Sequence, residues 1–306
     1  MAAWAKAVDP GKAEQSPAQE RTLFGALAAQ VEARLEGLCG AAGGGGVAAA
    51  EAYALLAPGK RVRPMLAVLA ARQHGADIAA ALDPACALEM VHTASLILDD
   101  LPCMDDALLR RGRAATHRVF GEAASLLAAV GLLNRAFGVL SLMEAPPCAR
   151  IAMVERLSAA VGPEGLVGGQ EADLGERARY LDCADVDALN QRKTGALFVA
   201  AMELGALAAG AEADAVRRMA RAGAHVGLAF QTIDDLLDCT RRTEELGKDA
   251  NKDQGKPSVV SLAGLEAACA RVLHDLERAK AAVREAGGDS RELEAYLDLL
   301  FQQAAS

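Results

Sequence analysis

The sequence predicts an all-α fold, and two observations carry that expectation. The chain of 306 residues is 52% hydrophobic and rich in alanine, yet only 3% aromatic. Alanine is the strongest helix former, whereas strands favour β-branched and aromatic side chains. Apolar residues also recur at helical spacing, as at Leu23, Leu27, Val31, Leu35 and Leu38. The formal net charge of −9 argues against a nucleic-acid partner, so an anionic ligand must be met by local basic groups or metal. Seven cysteines, with no CxxC pair, fit a reducing cytoplasm.

Residues 1–18, broken by Pro10 and Pro17, are expected to form a flexible tail, and residues 19–306 a single domain. No basic region followed by an apolar core marks a secretory signal. A helix is expected over 19–38, then a connection over 40–46 in which five of seven residues are glycine, then a short helix over 48–56. Pro58 and Gly59 end that helix, and Pro64 suits the first turn of the next. Lys60, Arg61 and Arg63 stand between them. Three cations at a helix start oppose the helix dipole, and they make sense if an anion binds there.

A helix over 84–98 carries His92 and ends in Asp99-Asp100-Leu101-Pro102-Cys103-Met104-Asp105-Asp106, four carboxylates in eight residues, with Arg110 and Arg111 close behind. Asp99 and Asp105 are six residues apart, about 240° around an ideal helix, so they share a face only if the helix stops. Pro102 supplies the break. Crowded carboxylates raise each other's pKa unless a cation lies between them. A few hard oxygen ligands suit Mg²⁺, which shares its shell with substrate phosphates, and arginines grip phosphate oxygens.

A long, central apolar helix is expected over 119–143. Asn134 and Arg135 interrupt its apolar run, so it reads as a buried helix and not a membrane span. A turn at 144–148, helices at 149–161 and 163–174, a polar loop at 175–183 and a helix at 186–208 follow. A second apolar run, 226–233, ends in Asp234-Asp235-Leu236-Leu237-Asp238. On a helix Asp234 and Asp238 point to one face. One acidic cluster alone is usually a solvated turn, but two at the ends of apolar helices predict carboxylates facing each other across a cavity, with metal between them. Amphipathic helices over 265–287 and 291–302 close the domain.

These motifs resemble those of the trans-type isoprenyl diphosphate synthases over roughly residues 58–265. Asp99-Asp100 to Asp105 is similar to the longer form of that family's first aspartate motif, and Asp234-Asp235-Leu236-Leu237-Asp238 to its DDxxD motif. Leu96-Ile97-Leu98, Met104-Asp105-Asp106-Ala107, Leu127-Ala128-Ala129-Val130, Gly247-Lys248-Asp249 and Gly255-Lys256 resemble most the bacterial geranylgeranyl diphosphate synthases of carotenoid pathways.

The resemblance implies a single helical bundle around a deep central cavity, assembled as a homodimer. It implies Mg²⁺, several ions per site, held by Asp99, Asp100, Asp105, Asp234, Asp235 and Asp238. Lys60, Arg63, His92 and Arg111 would bind isopentenyl diphosphate. Arg110, Lys193, Thr194, Gln231, Lys248 and Lys256 would bind the allylic diphosphate, with Lys193, Thr194, Gln231 and Lys248 acting in catalysis and Lys252 competing with Lys256. Gln170 and Asp173 match a GQxxDL pattern in a supporting role. Pro257 departs from the family's usual sequence after that lysine. Small residues at Ala94 and Ser95, where farnesyl-making relatives often place an aromatic, imply a twenty-carbon product over a fifteen-carbon one. Two further readings remain, a non-catalytic regulatory subunit and a terpene cyclase. The intact motifs disfavour the first, and the basic GKxxRP site disfavours the second.

Overall fold

A computed structural model describes residues 17–39, 45–175, 182–244 and 258–305. The structure is all-α, as the composition predicts, apart from one two-stranded hairpin. The chain divides into two compact units.

The first unit comprises Arg21–Ser158 and Glu203–Ala211. Its helices are α1 (Pro17–Cys39, which begins in the other unit), α2 (Gly46–Leu55), α3 (Val62–Gln73) and α4 (Ile78–Asp99). The hairpin β1 (Leu109–Arg110) and β2 (Arg113–Ala114) follows, then α5 (Thr116–Phe120), α6 (Glu122–Leu142) and most of α7 (Pro147–Val161). α3 and α4 form the core. Nearly every position of α3 from Val62 to Ala71 is buried, as are Ala85, Leu88, Met90, Val91 and Ala94 of α4. A helix apolar all round belongs in an interior, and α4 packs between α3 and α6. α4 starts six residues earlier than the sequence suggests and carries Pro84 inside it.

α6 corrects a second expectation. Gly121, at φ +82°, separates it from α5, so the expected 119–143 helix is two helices. It is also not central. Ser125, Ala128, Ala129, Leu132, Ala136 and Leu140 bury one face, while Leu126, Leu127 and Val130 are exposed, Val130 by 61%. Both α4 and α6 are long and apolar enough to cross a membrane, but 67% of that window is buried in α4 and only 33% in α6. Arg135 turns inward, donating to the Leu38 carbonyl and to the buried Glu51 carboxylate, each at 2.8 Å.

The second unit comprises described residues 17–20 with Ala159–Met202 and the chain from Glu212 onward. It holds α8 (Leu166–Gly175), α9 (Cys183–Asn190), a π-helical turn (Gln191–Gly195), the start of α10 (Ala196–Ala208), α11 (Ala213–Glu244), α12 (Val259–Ala263), α13 (Leu265–Glu285) and α14 (Arg291–Ala305). α11 lies along α13. Polar groups around the buried Asp275 fasten α9, α11 and α13. His225 Nδ1 lies 2.9 Å from Asp275 Oδ1, and Arg271 pairs with Asp187. The helix expected over 186–208 is interrupted by the π turn. α12, absent from the sequence reading, starts with a capping box in which Ser258 and Ser261 bond each other's backbone N–H. Among the described residues the seven cysteines are free thiols.

Candidate active site

In the first unit α4 ends where Pro102 requires. Asp105 N–H donates to the Asp99 carbonyl at 2.9 Å, Asp106 N–H to Leu101 at 3.0 Å and Ala107 N–H to Asp100 at 3.1 Å. This knot folds the Asp105 backbone onto Asp99, the return that the six-residue spacing demands. The carboxylates differ in environment: Asp99 is half-buried, Asp105 and Asp106 are exposed, and Asp100 is buried. Carboxylates at a helix C-terminus oppose the dipole, so this end of α4 calls for cations. Arg110 answers for Asp100, donating from Nε at 2.9 Å and Nη2 at 2.5 Å to Oδ1. Burial works against the Arg110 charge, but the bonds to Asp100 and the charges of Asp100, Asp99 and Asp105 outweigh it and raise its pKa.

The hairpin places the arginines. Arg111 and Gly112 form its tip, both with positive φ, +52° and +74°, as a two-residue type I′ connection requires. Arg110 pairs across the ladder with Arg113. Arg113 lies over the Tyr53 ring at 3.9 Å, and Tyr53 Oη donates to the Ala114 carbonyl at 2.9 Å. The hairpin is thereby pinned to α2. The Arg111 guanidinium lies against Gly59, where a Cβ would stand 2.9 Å from Nη1.

The three cations before α3 do not act alike. Lys60 is exposed and Arg63 half-buried. Arg61, counted in the sequence among the anion-facing cations, is 3% exposed and turned inward. It donates to Glu32, to Glu89 and to the carbonyls of Leu55 and Ala57. Arg63 Nη1 meets His92 Nε2 at 3.4 Å. Arginine is always the donor in such a contact, so Nε2 accepts and His92 is neutral. Burial first, then Arg63, Arg111, Arg110 and Arg61, pushes the His92 pKa well below the ordinary value.

A stability prediction follows from that depression. As pH falls through the unfolded histidine value of about 6.5, the unfolded chain gains a proton that folded His92 refuses. The contribution is full above that pH and is lost below it, by up to about 1.4 kcal/mol per pH unit. His92→Gln is expected to flatten the fall in the thermal midpoint between pH 7 and 5. An unchanged slope would contradict the assignment.

In the second unit the π turn carries Lys193 and Thr194. Lys193 Nζ pairs with Asp173 Oδ2 at 2.6 Å, so the GQxxDL aspartate touches this lysine directly. Thr194 Oγ1 donates to Gln231 Oε1 at 3.0 Å, and Gln231 Nε2 to Asp235 Oδ1 at 3.1 Å. One hydrogen-bonded chain therefore joins the π turn to the second aspartate motif on α11. Gly169 lets α8 approach the Lys193 backbone, where any Cβ would collide. π turns of this kind frequently mark functional sites. Asp234 is exposed and Asp235 half-buried. The Asp238 side chain, Lys248, Lys252, Lys256 and Pro257 lie outside the described part.

Among the described residues no cluster of three or more His, Cys, Asp or Glu side chains forms a metal cage. Mg²⁺ does not need one, since one or two carboxylates plus substrate phosphates complete its shell. Asp99 and the exposed Asp105, tied through their backbones, fit that donor set. Asp100 is committed to Arg110. Ala94 is fully buried, and the Ser95 hydroxyl donates back to the His92 carbonyl at 2.8 Å. Sequence reasoning passed over Glu89, Tyr53 and Arg113. For Glu89 the signal was present, as a lone acid in an apolar helix needs a partner.

The all-α scaffold carries one aspartate cluster at the end of α4, beside basic side chains, and a second inside α11, which continues to Glu244 and does not end at the cluster as the sequence suggested. The chain belongs to the polyprenyl synthetase family, whose sequence pattern matches residues 47–295. It is 45% identical to the geranylgeranyl diphosphate synthase of Pantoea ananas over 236 residues, covering 76% of this chain and 77% of that one. It is 41% identical to the farnesyl diphosphate synthase of Geobacillus stearothermophilus over 256 residues, covering 81% and 85%. Among solved structures, a geranyltransferase from Legionella pneumophila superposes with a TM-score of 0.84 at 28% identity, covering 95% of this chain and 99% of that one.

Proposed function

We propose that this prenyltransferase joins isopentenyl diphosphate head-to-tail to an allylic diphosphate and makes geranylgeranyl diphosphate. The observation that carries the reading is the convergence of Arg63, His92 and Arg111 in the unit that also holds Asp99 and Asp105. It gives one anion site for the isopentenyl diphosphate beside a carboxylate pair suited to Mg²⁺. Lys60, Arg63 and Arg111 bind that diphosphate, and neutral His92 orients Arg63. Asp99 and Asp105 in the first unit, and Asp234 and Asp235 in the second, are carboxylates that would hold Mg²⁺, which when bound supplies positive charge to an allylic diphosphate. Arg110 adds fixed positive charge in the first unit and Lys193 does so in the second, an effect that matters most where charge grows in the reaction. Apolar walls keep water from the allylic cation. The proton released from the new chain goes to the departing diphosphate.

The twenty-carbon product rests on Ala94 and Ser95. Relatives named for fifteen- and twenty-carbon products are similarly close to this chain, so the small side chains on α4 carry that choice. Product sizing tests it. With labelled isopentenyl diphosphate, Mg²⁺ and each allylic primer, a twenty-carbon alcohol is expected after dephosphorylation. Ala94→Tyr is expected to shift the product to fifteen carbons while the protein stays folded. A wild-type product of fifteen carbons, or a variant that only unfolds, would sink the chain-length argument.

The reading includes a homodimer in the cytoplasm. The exposed Leu126, Leu127 and Val130 face of α6 supports a second copy as its occupant, and the free thiols support a reducing compartment. Sedimentation is expected to give a dimer that Leu127→Glu with Val130→Glu splits. A monomeric wild type, or one that partitions onto vesicles, would contradict this assignment.

A further inference from the structure

We propose that Glu89 is a positioning residue for the isopentenyl diphosphate site, its buried carboxylate setting both Arg111 and the Lys60–Arg63 stretch at the start of α3. The inference rests on the function proposed above. Glu89 lies on α4, three residues before His92 and on the same face, and is 1% exposed. Its Oε1 receives Arg61 Nη1 at 2.5 Å and Arg111 Nη2 at 3.4 Å. A buried carboxylate is costly without such partners.

The two arginines share a second property. Arg61 and Arg111 both have left-handed backbones, φ +48° and +52°, a conformation unfavourable for a side-chain-bearing residue. Two such kinks converging on one carboxylate mean that Glu89 holds backbone as well as side chains. The kink at Arg61 sends its side chain inward while Lys60 stays exposed and Arg63 reaches His92.

The two arginines also divide the work. Arg61 is spent on Glu32, Glu89 and two carbonyls. Glu32 and Glu89 with Arg61 carry a net charge of −1, and Arg111 brings the group to zero. Among the described residues Arg111 makes one long ion-pair contact, to Glu89, and its side chain is 21% exposed, so it keeps donors for an incoming anion. The missing Cβ at Gly59 leaves room for its guanidinium. Glu89 thus fixes the direction of Arg111 without consuming it.

Glu89→Gln keeps the shape and removes the charge. The expected result is a KM for isopentenyl diphosphate raised at least about tenfold, with kcat and the allylic KM within about twofold. Arg111→Lys should raise the same KM in the wild type but add less than about threefold in the Glu89→Gln background, because the two act as one unit. Gly59→Ala, whose Cβ would push Arg111 off Glu89 while leaving the Arg61–Glu89 pair in place, should reproduce the selective KM rise if Glu89→Gln fails to fold. Equal shifts in both KM values, an unchanged or lower isopentenyl diphosphate KM, or additive double variants would overturn the inference. Calorimetric binding of isopentenyl diphosphate without primer separates this from the condensation reading. A wild type that binds it but makes no product defeats condensation, while the variants' affinities still decide the role of Glu89. A wild type that does not bind it overturns both.

Discussion

Asp99→Asn is expected to lower kcat by about a hundred- to a thousandfold, the scale seen when a group that stabilises developing charge is removed, without lowering the thermal midpoint. Activity and stability are expected to separate here. Asp99 is the last residue of α4, where a negative charge opposes the helix dipole by about 0.3–1 kcal/mol. Removing the charge relieves that conflict and gives up the attraction to Arg110, so the two effects offset each other. The Mg²⁺ concentration for half-maximal activity should rise as well. A midpoint that falls together with activity would place Asp99 among the structural groups, beside Asp100.

Lys193→Met is expected to be comparably severe in kcat/KM, again about a hundred- to a thousandfold, with the opposite signature in stability. Asp173 is buried and its carboxylate meets Lys193 at 2.6 Å. Removing that partner from a buried carboxylate costs about 1–3 kcal/mol. The double variant Lys193→Met with Asp173→Asn should recover most of the stability and none of the activity. Recovery of activity would show that the lysine serves only to neutralise Asp173.

Much of this was legible in the chain because the chemistry is expensive. Asp99 and Asp105 cannot share a helix face at six residues' spacing, so Pro102 had to end α4, and it does. Arg135 in an apolar run had to find an acid, and Glu51 is there. Local spacing gave no view of conformations that depend on tertiary contacts. Gln191–Gly195 has nothing that forbids an α-helix, yet Thr194 bonded to Gln231 and α8 pressed on Lys193 accompany a π turn there. The hairpin has two-residue strands, too short for alternation to show, and its sequence mark is only Gly112 after Arg111. Arg61 looks like Lys60 and Arg63 on paper. Its burial is decided by Glu32 and Glu89, which lie 29 residues before it and 28 after it.

The most direct test of the account is the balance of diphosphate. Purified protein with Mg²⁺, an allylic diphosphate and isopentenyl diphosphate should release one inorganic diphosphate for each isopentenyl diphosphate consumed, and almost none when isopentenyl diphosphate is withheld. Equal release without isopentenyl diphosphate would mean ionisation without condensation, the behaviour of a cyclase. No release under any condition would mean that the motifs bind without reacting, as in a regulatory subunit.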